Sequence, residues 1–124
     1  MLRYRTGWLI GAWSLVGVVA YLSLMPNPPT PFEFRMFDKV EHGIAYAAMS
    51  WWFCQIYQSA RSRLWVCVAL LAYGVLIEIL QGMTGYRYFE YADMLADGVG
   101  VVAGLLLART VLGRVFVLIE KIWR

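Results

Sequence analysis

The sequence predicts an all-α membrane protein, a compact bundle of about four transmembrane helices. Of its 124 residues, 61% are apolar and only 15% are charged, whereas soluble domains average about half apolar and about a quarter charged. A soluble chain of this length would form one domain, and its core could not hide so much apolar surface. The charged residues also lie mainly between long apolar runs. We therefore expect a bilayer to cover the remaining apolar surface.

The first apolar run, residues 8–25, is the clearest predicted span. Its 18 uncharged residues, at about 1.5 Å per helical residue, nearly match a hydrocarbon core of about 30 Å. Arg3 and Arg5 before it would also suit a signal peptide, but the run is long for that purpose and no small-residue cleavage site precedes Pro26. We expect a retained helix that ends at the prolines, because proline lacks an amide donor.

The other predicted spans complete a single domain over residues 1–124. They cover residues 40–57, 64–83 and 92–112. Gly100 and Gly104 on the last span have the small-xxx-small spacing that lets helix backbones approach closely. This spacing predicts a packing groove and leaves self-association open. Residues 113–124 form a basic amphipathic tail, which could extend the fourth helix or lie along the membrane interface.

The distribution of Lys and Arg predicts that both termini are cytoplasmic. These residues precede the first span, separate the second from the third and follow the fourth, and they are Arg3, Arg5, Arg61, Arg63, Arg109, Arg114, Lys121 and Arg124. The net charge of +3 could suggest nucleic acid. However, the cations lie in inter-helix stretches rather than along one face, so no nucleic-acid partner is predicted.

Three of the predicted spans carry polar residues near their outer ends. At helical spacing these are Asp38, Lys39, His42 and Tyr46 on the second span, Glu78 and Gln81 on the third, and Asp93 and Asp97 on the fourth. Ionisable groups in hydrocarbon are costly unless they are paired or hydrated, so the three stripes should face one another. We expect a small polar chamber beneath the outer loops, which Arg87 can reach from above.

The residue types in this chamber allow several kinds of chemistry. His42, the only histidine, has Asp38 one turn away and could act as a general acid or base. Glu78 and Arg87 could instead form a structural ion pair. The candidate catalytic residues are His42, Glu78, Arg87 and Asp93, and the candidate binding residues are Asp38, Lys39, Tyr46, Gln81 and Asp97.

A divalent cation is a further alternative for the same residues. Several carboxylates with one imidazole suit Mg²⁺, Mn²⁺ or Ca²⁺ better than a structural zinc ion. The spacing nevertheless matches no standard metal motif. No cofactor is therefore predicted, and the metal ligands stay unknown.

These polar residues resemble the signature of VanZ-like proteins. The pattern is Asp38-Lys39-x-x-His42-x-x-Ala45-Tyr46, then Glu78-x-x-Gln81, then Arg87-x-Phe89-x-x-x-Asp93-x-x-Ala96-Asp97-x-x-Gly100-x-x-x-Gly104, with Ser23-Leu24-Met25-Pro26 matching the end of the family's first helix. The resemblance covers about residues 20–105. The family usually has Asn at the position of Asp97, so this chain adds a potential negative charge there.

The resemblance implies a multi-pass protein of a bacterial-type inner membrane. The family's namesake accompanies glycopeptide-resistance genes and raises resistance to teicoplanin by a mechanism that is not established. Beyond membrane lipids, the implied partner is an envelope precursor or a lipoglycopeptide. Two other classes stay open: a small proton-coupled carrier or exporter, whose site should lie near the midplane, and a non-enzymatic assembly factor. Neither catalysis nor oligomeric state follows from the sequence.

Overall fold

Helices account for nearly all of the chain that the computed structural model describes, residues 2–24, 35–84 and 91–123, with the side chains of residues 35–38 outside the description. They are α1 (Arg5–Leu24), α2 (Arg35–Ile56), α3 (Ala60–Met83), α4 (Tyr91–Ala108), a 3₁₀ turn (Val111–Arg114) and α5 (Val115–Trp123). These ranges contain no strand. The predicted all-α bundle is confirmed.

The helices differ in how well they suit a bilayer. Among those described, α1, α3 and α4 are long and apolar enough to cross a membrane. α2 has 22 residues and is about 33 Å long, but its first half carries Lys39, Glu41 and His42. α2 can be less apolar than the other long helices because it packs against α1, α3, α4 and α5, so that much of its surface contacts protein. The chain is a membrane protein with a comparatively polar central helix.

Glycines set the closest helix contact, between α2 and α4. A Cβ on Gly100 would collide with the carbonyl oxygen of Gly43, and a Cβ on Gly104 would collide with that of Ala47. Backbones approach this closely only where side chains are absent. The predicted packing groove is confirmed. It is filled by α2 of the same chain, so this stripe is not an open surface for a second copy.

The apolar core lies between the four long helices. Its buried members are Val19, Tyr46, Met49, Cys67, Leu70 and Val101. The outer surfaces of α1, α3 and α4 expose large apolar side chains, including Ile10, Trp13, Leu76, Leu95, Val99 and Leu106. Exposed apolar surface on this scale requires contact with lipid.

The fourth helix ends earlier than the sequence predicts. The predicted span reaches residue 112, whereas α4 stops at Ala108. Thr110 has extended backbone angles, φ −93° and ψ −172°, and its hydroxyl accepts a hydrogen bond from the Leu112 N–H at 3.2 Å. This cap starts the 3₁₀ turn and then α5. The tail is therefore a separate helix and not an extension of α4.

The residues before α1, the connection between α2 and α3, and the segment after α4 meet at one end of the bundle. We name this end the basic end. Glu120 in α5 accepts hydrogen bonds from the backbone N–H groups of Arg3 at 2.6 Å and Tyr4 at 2.9 Å. Gln58, between α2 and α3, donates to the Gly113 carbonyl at 3.1 Å. The basic stretches that the sequence assigns to one side therefore lie together. That this side is cytoplasmic stays a prediction.

Candidate functional site

Two polar pairs join α2 to α4 near the end of the bundle opposite the basic end. Lys39 Nζ lies 3.3 Å from Asp93 Oδ1, and His42 Nδ1 lies 2.9 Å from Asp97 Oδ1. The pairs are about one helical turn apart, because residues three or four apart share a helix face. The structure thus brings together four of the residues that the sequence places in one site.

The two pairs differ in exposure. The side chains of Lys39 and Asp93 are 21% and 6% exposed, whereas those of His42 and Asp97 are 9% and 3% exposed. His42 lies about 10 Å along α2 from its first residue. Burying a charge at this depth is costly unless a partner compensates it. The pairs therefore form a gradient, with an ion pair near the helix ends and a more enclosed pair one turn deeper.

Helix α3 closes the site from a third side. A Cβ on Gly74 would lie 3.0 Å from Asp97 Oδ2 and 3.3 Å from Tyr46 Cε2, so the glycine leaves room for both side chains. Glu78, one turn further along α3 on the same face as Gly74, is 0% exposed. We name the assembled group the polar cluster. It comprises Lys39, His42, Tyr46, Glu78, Asp93 and Asp97.

Polar atoms of Tyr46 and Asp97 are buried without a hydrogen-bond partner in the described part of the chain. These atoms are the Tyr46 hydroxyl and Asp97 Oδ2, on residues that are 1% and 2% exposed. Buried polar groups nearly always bond to protein or water, and leaving one unbonded costs about 1–3 kcal/mol. These atoms are positions at which the cluster can bind a further polar group.

Gln81 lies at the same end of α3 but contacts α1. Its Nε2 donates to the Ser23 carbonyl oxygen at 2.8 Å, close to the end of α1, where the last carbonyls lack helical partners. Tyr73, deeper on α3, similarly donates to the Val16 carbonyl at 2.7 Å. The described contact of Gln81 therefore holds two helices together, whereas its predicted binding role stays a prediction.

Two of the predicted site residues fall outside the described residues. Arg87 belongs to residues 85–90, and for Asp38 only the helical backbone is described. The proposed ion pair between Glu78 and Arg87 therefore stays a prediction, as does the chamber beneath the outer loops. The described part of the site consists of side chains from α2, α3 and α4.

Residues 9–113 match a family model described as VanZ/LLP1. The match spans most of the chain and includes every member of the polar cluster. The chain belongs to the VanZ/LLP1 family. No curated protein and no solved structure matches it. The match ends at Gly113, so α5 of this VanZ/LLP1 protein lies beyond the matched region.

The described side chains of the VanZ/LLP1 protein favour ion pairing and proton transfer. Within these residues, no three His, Cys, Asp or Glu side chains are grouped to hold a metal ion. His42 Nδ1 and Asp97 Oδ1 share a hydrogen bond, and with an ionised carboxylate, which only accepts, the imidazole N–H is the donor. A carboxylate in this position orients the imidazole. The pair can therefore act in general acid or base chemistry.

The VanZ/LLP1 protein has a further buried acid that the sequence analysis does not include in a site. Glu120 is 2% exposed and accepts hydrogen bonds from the N–H groups of Arg3 and Tyr4 and from Trp8 Nε1, the last at 2.8 Å. The backbone donors adjoin the first turn of α1, where amides lack helical partners. The sequence feature that could have identified Glu120 as buried is its spacing of four residues from Phe116. Residues four apart lie on the same face of a helix, and Phe116 is also buried.

Proposed function

We propose that this protein binds the polar headgroup of an amphiphilic envelope compound, such as an envelope precursor or a lipoglycopeptide, at the polar cluster. The supporting observation is the buried His42–Asp97 pair, together with the Tyr46 hydroxyl and Asp97 Oδ2, for which the described residues supply no hydrogen-bond partner. The His42–Asp97 pair lies roughly two helical turns from the first residues of α2 and α4. An amphiphile with its acyl chain in the outer leaflet would place its headgroup near this depth.

The exposure gradient supports an order of contacts for such a headgroup. Lys39 and Asp93 form the more accessible pair, so an ionic headgroup would meet them first. Beyond them, the oriented imidazole of His42 could exchange a proton with a bound hydroxyl or amine. Glu78 and Tyr46 would line the enclosed side of the bound group. This order describes binding and leaves open whether a covalent bond is made or broken.

A resistance assay with a matched binding assay tests the proposal. Cells carrying the chain should survive higher teicoplanin concentrations than vector controls, and proteoliposomes should bind labelled teicoplanin. We expect His42→Ala and Asp97→Ala to lose the protection and to weaken binding about 10- to 100-fold, which corresponds to the loss of one hydrogen bond to a charged group.

Ser50→Ala is the matched control. Its hydroxyl is buried on α2, about two turns below His42, and donates to the Val101 carbonyl oxygen at 2.8 Å. Removing it weakens the same α2–α4 interface without changing the polar cluster. Full protection by His42→Ala and Asp97→Ala at normal membrane levels would contradict the proposal. Proton-coupled uptake into vesicles that Glu78→Gln abolishes would instead favour a carrier.

A further inference from the structure

The exposed charged side chains at the basic end are all cationic among the residues described there. They are Arg3, Arg5, Arg61, Arg109, Arg114 and Lys121. Glu120 is the acid of this region, but it is 2% exposed, and its two oxygens accept hydrogen bonds from α1 and the residues before it. It therefore offers no exposed carboxylate to the surrounding cations. The described residues of this end therefore present a predominantly positive surface.

Large apolar side chains alternate with these cations on the 3₁₀ turn and α5. Val111 is 83% exposed, Leu118 51%, Ile122 80% and Trp123 68%. An amphipathic segment with basic, aliphatic and tryptophan side chains on its open side is typical of a helix in a membrane interface. The same segment would be poorly solvated if it faced only water.

Specific contacts hold the inner side of α5 against the bundle. These contacts determine which side chains lie on its outer side. Phe116 stacks on Trp8, with ring centroids 3.9 Å apart and 15° between the planes. The Phe116 N–H donates to Gln55 Oε1 at 3.3 Å, and Glu120 binds the start of the chain. Lys121 and the apolar side chains of Leu118 and Ile122 are therefore held on the exposed side of α5.

We propose that the basic end binds anionic phospholipid headgroups of the leaflet it faces, with α5 lying in the membrane interface. Clusters of Lys and Arg beside a membrane-spanning helix attract anionic lipid, and the interleaved apolar side chains need acyl chains that a nucleic acid does not provide. A second copy would bring a similar set of cations against this surface, which like-charge repulsion opposes. This surface is separate from the polar cluster, and the inference does not rest on the proposed function.

Lipid titration of the purified full-length protein tests the inference. In neutral detergent, native mass spectrometry would count bound phosphatidylglycerol and phosphatidylcholine, and thermal unfolding would be followed in parallel. We expect phosphatidylglycerol to bind at least about tenfold more tightly and to raise the unfolding temperature. The combined change Arg114→Gln and Lys121→Gln should abolish most of this preference, and added salt should weaken it in the wild-type protein.

Glu41→Gln is the matched control, because it removes an exposed charge from α2 near the opposite end. It should leave the preference for phosphatidylglycerol unchanged. Equal binding of the two lipids would overturn the inference. A preference that survives the combined change at Arg114 and Lys121 would also overturn it, as would α5-dependent dimer formation without lipid binding.

Discussion

Glu120 is the residue whose contacts connect the two ends of the sequence. Its carboxylate accepts hydrogen bonds from the N–H groups of Arg3 and Tyr4 and from the Trp8 indole. A single side chain thus satisfies donors at the start of α1 and also anchors α5 to the bundle. Local sequence rules do not detect this kind of cap, because they look for the capping residue immediately before the helix.

We predict that Glu120→Ala lowers the free energy of unfolding by about 1–3 kcal/mol or more, because three donors lose their acceptor in a part-buried site. Glu120→Gln should lose less, since one acceptor oxygen remains. Denaturant unfolding in mild detergent measures both changes. Glu41→Ala, which removes an exposed acid, is the control. If Glu120→Ala were as stable as the wild-type protein, these hydrogen bonds would make no net contribution to the free energy of unfolding.

At the residue scale, the sequence predicts which side chains lie at the same end of the bundle better than it predicts which atoms form hydrogen bonds. The spacing of His42 and Asp97 within their helices places them correctly at one site, because helical periodicity determines the face on which a residue lies. Gln81 follows the same rule but hydrogen-bonds to Ser23. That contact depends on where α1 ends relative to α3, which is a tertiary property that spacing along one helix does not contain.

At the scale of helices, the α2–α4 contact depends on two glycines, so it can be tested by adding single methyl groups. We predict that Gly100→Ala and Gly104→Ala each destabilise the protein by about 1–3 kcal/mol, because the new Cβ would collide with a backbone carbonyl of α2. Gly98→Ala on the same helix is the control, since its Cβ would lie 3.7 Å from Leu71 Cδ2, an ordinary contact.

Thermal unfolding in detergent measures these changes. Alanine favours helix over glycine by about 1 kcal/mol in water, so Gly98→Ala should be neutral or slightly stabilising. If all three variants behaved alike, close approach of the backbones would not be the source of the contact's stability. Loss of function in Gly100→Ala at normal stability would place the glycine in the ligand site instead.

The helices themselves follow from apolar runs and breaks, but their ends are harder to predict. Apolar residues resume at Val111 and Leu112 after Arg109 and Thr110, and yet α4 stops at Ala108 because Thr110 caps the next turn. A threonine hydroxyl can cap a turn or face solvent within a helix, and only the packing of the following segment decides between them. In α2, conversely, charge interrupts the apolar run without ending the helix, since neighbouring helices compensate it.

For the whole molecule, the prediction that carries most consequence is its orientation. We predict that the polar cluster faces outward and the basic end faces the cytoplasm. Glu41→Cys and Arg61→Cys provide exposed thiols on α2 and α3 near the two ends, while the native Cys54 and Cys67 are buried. A membrane-impermeant thiol reagent should label intact cells at position 41, and at position 61 only after permeabilisation. The reverse pattern would place the cluster inside.

The sequence is sufficient for the architecture because a bilayer imposes the same length and periodicity on every span. It is also sufficient for the family, since the motif residues occur in order along the chain. It does not predict the position of α5, which depends on Glu120, Phe116 and Trp8 meeting across the full length of the chain. Such long-range contacts have no local signature.

The polar face of α2 has a further consequence, for the way the protein is made. α2 carries Lys39 and His42, whose partners Asp93 and Asp97 lie on α4. Because the ribosome produces α3 before α4, α2 leaves the translation machinery while those partners are not yet synthesised. Lipid is then a poor solvent for its first half. α2 can therefore reach its final packing only after α4 has been synthesised, since α4 supplies both partners.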